Sequence, residues 1–299
     1  MSLDKMIIIR NERKIAEIIS DHENRLLVDF NPGITRNIRK KVLEIVADKS
    51  EIYSNRAGGD FKEMLAGEGF SMMHKSELPE KFREPEEKEI TKEERMNARF
   101  IHESNLIERM DGISYDEILE RLHKGNETGS VGAWKLAKLL GENGVEIKPE
   151  HVLHMQKMIT EEQADYGFDL ESRYCGKLRK IPVMVGQDLI GAPKQEDFNK
   201  FFADLKTGLE GIDPNELSSV LGFISKNHLE FEDMHPFADG NGRTGRLIVN
   251  YLLYLLRYPT MVFTNKDVQH YYSAFRGPQA VKEARMKKYF QKKYRGKRE

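Results

Sequence analysis

The chain has 299 residues, of which 39% are hydrophobic and 32% carry a charge, and its formal net charge is −1. This composition excludes a collagen-like, fibrous or wholly disordered chain, and the length allows one large domain or two modest ones. The near-zero net charge gives no overall field that would attract nucleic acid or anionic lipid, so either partner would need a local basic patch.

The single cysteine, Cys175, cannot form an intrachain disulfide or a cysteine-based zinc site. The apolar stretch in residues 1–14 is too short for a secretion signal. The apolar run 252–256 is far below the ~20 residues needed to span a bilayer. We therefore expect a cytoplasmic protein that does not bind a membrane.

The first part of the chain carries no recognisable motif. Residues 1–74 are predicted to form a small helical region of several short helices, with a turn at 31–33. Residues 75–90 combine two prolines with dense charge and few apolar side chains, which favours a charged linker.

Helical patterns dominate from residue 91 onwards. Thr91 and Glu94 fit a capping box, which predicts a helix over about 92–111. Pro149 suits the first turn of a later helix. The stretch 180–190 is the one convincing β signal and predicts a short hairpin, after which apolar spacing predicts helices at about 195–209 and from 216.

The segment 235–246, with the sequence HPFADGNGRTGR, lies between two apolar helices. Gly240 and Gly242 allow tight backbone turns and expose N–H groups at the start of a helix, where the helix dipole favours anions. Arg243 and Arg246 add charged donors suited to phosphate oxygens. This part of the segment therefore predicts a phosphate-binding loop.

Two further residues of the segment suit chemistry on a phosphate. Asp239 provides a carboxylate of the kind that holds Mg²⁺ together with substrate phosphates. His235, with an ordinary pKa near about 6.5, suits removal of a proton from a hydroxyl. The segment therefore predicts attack of an activated hydroxyl on a nucleotide phosphate.

Plainer interpretations of the same residues exist. A lone histidine is more often structural, and Asp-Gly-Asn-Gly is more often only a turn. Gly240, Gly242 and Gly245 also match the dinucleotide fingerprint, but that pattern requires a preceding strand and a helix is predicted here. The joint spacing of the segment favours the chemical interpretation.

The segment resembles, position for position, the H-x-F-x-[D/E]-G-N-G-R-x-x-R signature of Fic proteins, whose commonest activity is transfer of AMP from ATP to a protein hydroxyl. The resemblance covers roughly residues 92–280. It implies a mostly α-helical Fic domain over 91–299, with one short β-hairpin flap at about 180–190.

The resemblance also implies a role for each residue of the loop. His235 would be the base for the target hydroxyl, and Phe237 would anchor the loop in the core. Asp239 would hold Mg²⁺ against the ATP phosphates. The anion hole and the contacts to the outer phosphates would come from Gly240, Asn241, Gly242, Arg243 and Arg246.

Residues outside the loop would complete the site. The flap residues would pair with an extended target segment, and two aromatic residues would line the nucleoside pocket. These residues are Val183, Met184, Val185 and Gly186 in the flap, and Tyr271 and Tyr272 in the pocket.

A second motif, Ser104–Glu108, resembles the inhibitory S/T-x-x-x-E-G/N sequence of the family, in its class with an N-terminal inhibitory helix. The resemblance implies that Glu108 pairs with Arg246 and obstructs the γ-phosphate. Arg109 replaces the usual Gly or Asn, so we expect the helix to continue past it. The plainer interpretation of Glu108 is a solvated residue on a charged helix.

The sequence thus predicts an enzyme that transfers AMP from MgATP to a Ser, Thr or Tyr hydroxyl of a target protein at the flap, the chain itself being a further candidate target. Removal of AMP, transfer of another phosphate-containing group, and a catalytically quiet nucleotide-sensing module stay open as alternatives. The basic end 285–298 is interpreted as a solvated tail rather than a nucleic-acid site. The sequence indicates neither which protein is the target nor whether the chain forms a homo-oligomer.

Overall fold

The structure is a computed structural model that describes residues 6–10, 13–20, 26–30, 65–74 and 89–295, except 111, 167–170 and 186–187, together with the isolated positions 34, 38 and 42. The chain divides into two compact units, residues 1–93 and 94–299. The sequence-predicted turn at 31–33 and most of the linker lie outside the described residues. No helix among the described residues is long and apolar enough to cross a membrane.

The first unit contains a sheet, so the prediction of a helical region over 1–74 is wrong. Its strands are β1 (Met6–Arg10), β2 (Arg13–Ser20), β3 (Leu26–Phe30) and β4 (Ser71–His74). All neighbouring pairs are antiparallel, and the strand order is β3-β2-β1-β4.

Long-range pairing explains why β4 was not predicted, whereas β1, β2 and β3 are close neighbours in the chain and pair in sequence order. Strand β1 pairs with β4, which lies about sixty residues later in the chain, and no local pattern announces such a partner. The short apolar runs are ambiguous between helix and strand, but they are rich in β-branched residues. In the sheet they supply a small core that includes Ile8, Ile15, Val28 and Phe30.

The second unit is mostly helical, as predicted. Its described residues form nine α-helices, two short 3-10 segments and one antiparallel hairpin. The helices are α1 (Lys92–Ile107), α2 (Tyr115–His123), α3 (Gly129–Glu142), α4 (Pro149–Ala164), α5 (Gln195–Glu210), α6 (Leu217–Met234), α7 (Asn241–Leu255), α8 (Val268–Ser273) and α9 (Gln279–Arg295). The hairpin strands are β5 (Val183–Val185) and β6 (Asp188–Ile190).

Helix α7 is the centre of this unit and packs against α3, α4 and α6. Nearly every residue of α7 is buried, which explains why its sequence after Arg246 is apolar on all sides except at Asn250. Gly141 of α3 permits the close approach, because a Cβ there would lie 2.6 Å from the Tyr251 carbonyl oxygen of α7. The loop 235–240 joins α6 to α7 and is therefore held between two core helices.

Helix α1 ends earlier than the sequence predicted. It stops at Ile107, and the next turn closes with bonds from Arg109 N to the Leu106 carbonyl and from Met110 N to the Asn105 carbonyl. This is the Schellman arrangement, with Arg109 at the left-handed position, φ 59°. A non-glycine residue there costs roughly 1–2 kcal/mol. The expectation that arginine extends the helix to about 111 is therefore wrong, because tertiary contacts at the helix end outweigh this cost.

The interpretation of the basic end 285–298 as a solvated tail is wrong for residues 285–295, which belong to a packed helix. Helix α9 packs against α6, and Met286 and Phe290 are completely buried. Its lysines and arginines lie on the remaining faces of an ordered helix, so they present charge from fixed positions.

Candidate active site

The loop 235–240 is shaped by two left-handed residues and one buried ring. His235 caps the C-terminus of α6 with φ 46° and ψ 60°, and Gly240 caps the N-terminus of α7 with φ 81°. The Phe237 ring is completely buried and lies 6.0 Å from the Phe198 ring and 6.2 Å from the Phe231 ring. The structure thus places Phe237 in the core, at the position predicted for it.

The side chain of Asn241 fixes the loop instead of facing a ligand. Its Oδ1 accepts a hydrogen bond from Phe237 N at 2.8 Å, and its Nδ2 donates to the Phe237 carbonyl at 2.9 Å. Asn241 can therefore bind an anion only through its backbone N–H. Like the other N–H groups in the first turn of α7, this N–H has no intrahelical acceptor.

Glu108 lies directly over this first turn. A Cβ on Gly242 would be 2.3 Å from Glu108 Oε1 and 3.0 Å from Arg246 Nη1. Glycine is therefore required at 242 by the close approach of a carboxylate to the backbone. The helix dipole favours a negative charge at this place, so Glu108 occupies the position that an anionic ligand would take.

Arg246 holds Glu108 and Ser104 together. Its guanidinium is completely buried and donates to Glu108 Oε1 at 2.8 Å, to Ser104 Oγ at 2.9 Å and to the Ser104 carbonyl at 2.9 Å. The pair predicted from the sequence is thus formed. Glu108 keeps 29% of its side chain exposed, so the pair lies at the edge of the core rather than inside it.

Three further polar side chains, those of Tyr271, His228 and Glu232, lie near Arg246 and are largely withdrawn from solvent. The Arg246 guanidinium lies 5.9 Å from the Tyr271 ring, and the Tyr271 hydroxyl lies 2.7 Å from His228 Nε2. Burial is the main cause that lowers the pKa of His228, to about 3, so this ring is neutral. Burial likewise raises the pKa of Glu232 to about 8, against the opposing effect of Arg246.

The two tyrosines predicted for the nucleoside pocket have different surroundings. Tyr271 is buried beside Arg246, whereas Tyr272 is 40% exposed and its hydroxyl donates to the Ile107 carbonyl at 3.3 Å. Of the two, Tyr272 offers a ring face to solvent near the end of α1. Tyr271 instead packs against Arg246 and His228.

Two glutamines on α4 position Asp239, and sequence reasoning missed both. Gln163 donates to Asp239 Oδ2 at 2.8 Å and accepts a bond from Arg243 at 2.9 Å, so it bridges the acid and the arginine. Gln156 donates to the Asp239 carbonyl at 3.0 Å. A buried polar stripe at 156, 160 and 163 on one helix face is the signal that identifies them.

The His235 side chain is partly buried beside the Glu232 backbone. Burial is the main cause that lowers the pKa of His235 below its ordinary value. The ring is therefore neutral at pH 7, the state in which an imidazole accepts a proton.

Arg179 connects the hairpin to the loop and was also not singled out as a site residue. It is 1% exposed, and it donates to the carbonyls of His235 (2.6 Å), Ile181 (2.6 Å) and Gly191 (2.7 Å). One buried guanidinium thus connects both ends of the hairpin to His235, the residue that follows α6. Its backbone N–H adds a bond to the Pro236 carbonyl at 3.0 Å.

The hairpin has an unusually apolar surface. The side chains of Met184 and Leu189 are paired across the strands and are 62% and 68% exposed. The predicted flap residues Val183, Met184 and Val185 form β5, and Gly186 lies outside the described residues.

The carboxylate of the loop fits a metal ion that is shared with a substrate. Among the described residues, no group of three or more His, Cys, Asp or Glu side chains is arranged to hold a metal ion. Asp239 is the one carboxylate of the loop, it is about half exposed, and each of its oxygens keeps a lone pair after bonding Gly240 N and Gln163. This donor set suits Mg²⁺, which binds through one or two carboxylates plus phosphates.

Comparison with known proteins agrees with the motif. Residues 146–253 match the model of the Fic/DOC family. The chain is similar to a protein adenylyltransferase Fic of Nematostella vectensis, with 33% identity over 98 residues, and to one of Drosophila grimshawi, with 31% identity over 97 residues. The aligned residues are 33% and 32% of this chain, but only 22% and 20% of those relatives.

Solved structures of Fic proteins also align with part of this chain. A Fic domain containing signaling protein from Bacteroides thetaiotaomicron aligns with a TM-score of 0.49 and 16% identity, over 66% of this chain and 82% of that protein.

Proposed function

We propose that this chain, which carries a Fic domain over residues 146–253, transfers AMP from ATP to a Ser, Thr or Tyr hydroxyl of a target protein and is restrained by Glu108. One observation supports the proposal above all others. A neutral histidine and an anion-binding helix N-terminus lie on the same loop, and a carboxylate of the chain already occupies the anion position.

The chemistry follows from the positions of the charges. The target hydroxyl oxygen attacks the α-phosphorus of ATP and forms a new P–O bond, while the bond from this phosphorus to the bridging oxygen breaks and pyrophosphate leaves. His235 takes the hydroxyl proton, because burial keeps its ring neutral and free to accept. Catalysis then depends on positioning and on stabilisation of the phosphate charge.

The first turn of α7 would bind the phosphates. The backbone N–H groups of residues 241–243 point away from the helix, and Arg243 and Arg246 supply fixed positive charge behind them. Asp239 would hold Mg²⁺, and a bound Mg²⁺ would neutralise part of the charge that develops on the phosphates. Gln163 forms one hydrogen bond to the Asp239 carboxylate and one to the Arg243 guanidinium, and so holds the two groups in fixed relative positions.

Restraint by Glu108 follows from competition for the same donors. Arg246 cannot donate the same N–H to Glu108 and to a phosphate, and the Glu108 carboxylate lies within van der Waals reach of Gly242. ATP bound with its outer phosphates in this place requires Glu108 to move. The strained Arg109 turn lies immediately after Glu108, so the backbone next to the inhibitory group is held in a costly conformation.

The hairpin would receive the target. Strand β5 is short, has an open edge and is fixed to His235 through Arg179, so a strand paired to it would be held at a constant distance from the base. The exposed Met184 and Leu189 would contact apolar side chains of the target.

Labelled ATP tests the proposal. The Glu108→Ala variant is incubated with Mg²⁺ and cell lysate, and the label is compared with that of the same lysate given the Glu108→Ala, His235→Ala double variant. Glu108→Ala should add protein label from α-labelled ATP and should add none from γ-labelled ATP. Additional label from γ-labelled ATP would indicate phosphate transfer instead, and absence of any additional label would favour a catalytically quiet nucleotide-sensing module.

A further inference from the structure

A large cleft lies in the second unit apart from the loop 235–246. It has a volume of about 1130 Å³, and its walls are α1, the segment 259–274 and α9. No residue of the loop 235–246 lines it. Small-molecule sites are typically clefts of about 300–1,000 Å³, so this cleft has room for a metabolite-sized ligand.

The walls of the cleft carry a surplus of positive charge. Six lysine or arginine side chains line it, against the two carboxylates Glu103 and Asp267. Three of the lysines come from α9, the helix that holds them at fixed positions, and Arg99 faces them from α1. Such convergent charge in a concave surface concentrates anions.

Both carboxylates already have partners. Asp267 Oδ2 accepts from Lys293 at 2.5 Å and from Thr264 at 3.0 Å, and Glu103 Oε2 accepts from the Asn265 backbone at 2.7 Å. Within the described part of the chain, four other lining cations form no hydrogen bond or salt bridge, namely Arg99, Lys266, Lys288 and Lys292. Of these, Lys292 lies near enough to Asp267 to help lower the pKa of that carboxylate.

The floor of the cleft is partly apolar. Val262 and Ala274 line it, together with the ring of Tyr289, whose hydroxyl is itself buried. An apolar part beside convergent charges is typical of sites that bind small organic molecules.

We propose that this cleft is a second binding site, for a small organic polyphosphate. Arg99, Lys266, Lys288 and Lys292 contact the phosphate oxygens, and the apolar floor receives the organic part. A concave site of this volume fits a small molecule better than a nucleic acid, whose phosphates need a stripe of charge along an open surface.

Lysine footprinting tests the site on the intact chain. Lysines are acetylated with and without a probe, and the extent of modification at each lysine is read by mass spectrometry. ATP should protect Lys266, Lys288 and Lys292, and inorganic tripolyphosphate should do so only at higher concentration, because it lacks an organic part. Lys287 of the same helix, which does not line the cleft, should stay unprotected.

Two variants sharpen the test. The concentration of ATP that protects Lys266 should rise about two- to thirtyfold in Lys288→Gln/Lys292→Gln, because two exposed phosphate contacts are lost. It should stay unchanged in the matched double variant Lys226→Gln/Lys287→Gln, which removes the same charge outside the cleft.

Four results would overturn the proposal. They are no protection by ATP, protection by tripolyphosphate as strong as that by ATP, preferential protection by a short single-stranded RNA at equal phosphate concentration, and equal effects of the two double variants.

Discussion

Removing the Glu108 carboxylate should release Arg246 for substrate. In Glu108→Ala the guanidinium loses the 2.8 Å bond to Oε1, but it keeps both bonds to Ser104 and stays in place. The first turn of α7 is freed at the same time, because Glu108 is the group that lies against Gly242. Productive binding of the outer phosphates then needs no displacement of a bound carboxylate.

The size of the effect follows from this one interaction. A hydrogen bond between charged groups contributes about 1.5–3 kcal/mol net. Glu108 is partly exposed, so the higher values for fully buried pairs do not apply. Because 1.4 kcal/mol is a factor of ten, the rate of AMP labelling should rise about ten- to a hundredfold.

Automodification with α-labelled ATP measures this rate, and Glu103→Ala is the matched control. Glu103 is on the same helix, but its carboxylate accepts from Asn265 N and does not contact Arg246. Arg246→Ala should lower labelling by a larger factor in the Glu108→Ala background than in wild type, where Glu108 already occupies the arginine, so the two changes should not be additive. Labelling that rises equally in Glu103→Ala and Glu108→Ala, or in neither, would refute the reasoning.

Four further predictions concern the loop and its supports. His235→Ala should lower the rate about 10²–10⁴-fold while the ATP affinity, measured by calorimetry, changes only a few-fold. Asp239→Ala should give low activity that no longer responds to a Mg²⁺ titration. Arg179→Ala should increase amide exchange across the hairpin 183–190, and unchanged exchange would contradict its role, because the guanidinium bonds the carbonyls at both hairpin ends. In urea titrations, the stability advantage of wild type over His228→Gln should shrink as pH falls from about 6.5 towards 3, because the unfolded chain binds a proton there and the folded chain does not.

Local chemistry in the second unit was predictable from sequence. Pro149 begins α4, at the first-turn position predicted for it. The hairpin strands fall inside the predicted 180–190, and α7 begins within the predicted segment 235–246. These features depend on neighbours in the chain, which is why spacing and capping rules identify them.

Features that depend on distant partners were not predictable in this way. In the first unit, β4 pairs with β1 from about sixty residues away, and in the second unit Arg109 takes a left-handed conformation that local preferences disfavour. Gln163 and Arg179 reach the loop from other elements, and only the folded chain brings them there. The loop motif could therefore be recognised from the sequence, while the residues that position it come from the tertiary structure.

Intact mass spectrometry of purified Glu108→Ala after incubation with MgATP tests the central claim most directly. The account predicts a new species heavier by one AMP group, absent from Glu108→Ala/His235→Ala and much weaker in wild type. A species heavier by one phosphate, or an AMP adduct of equal abundance with and without His235, would contradict it.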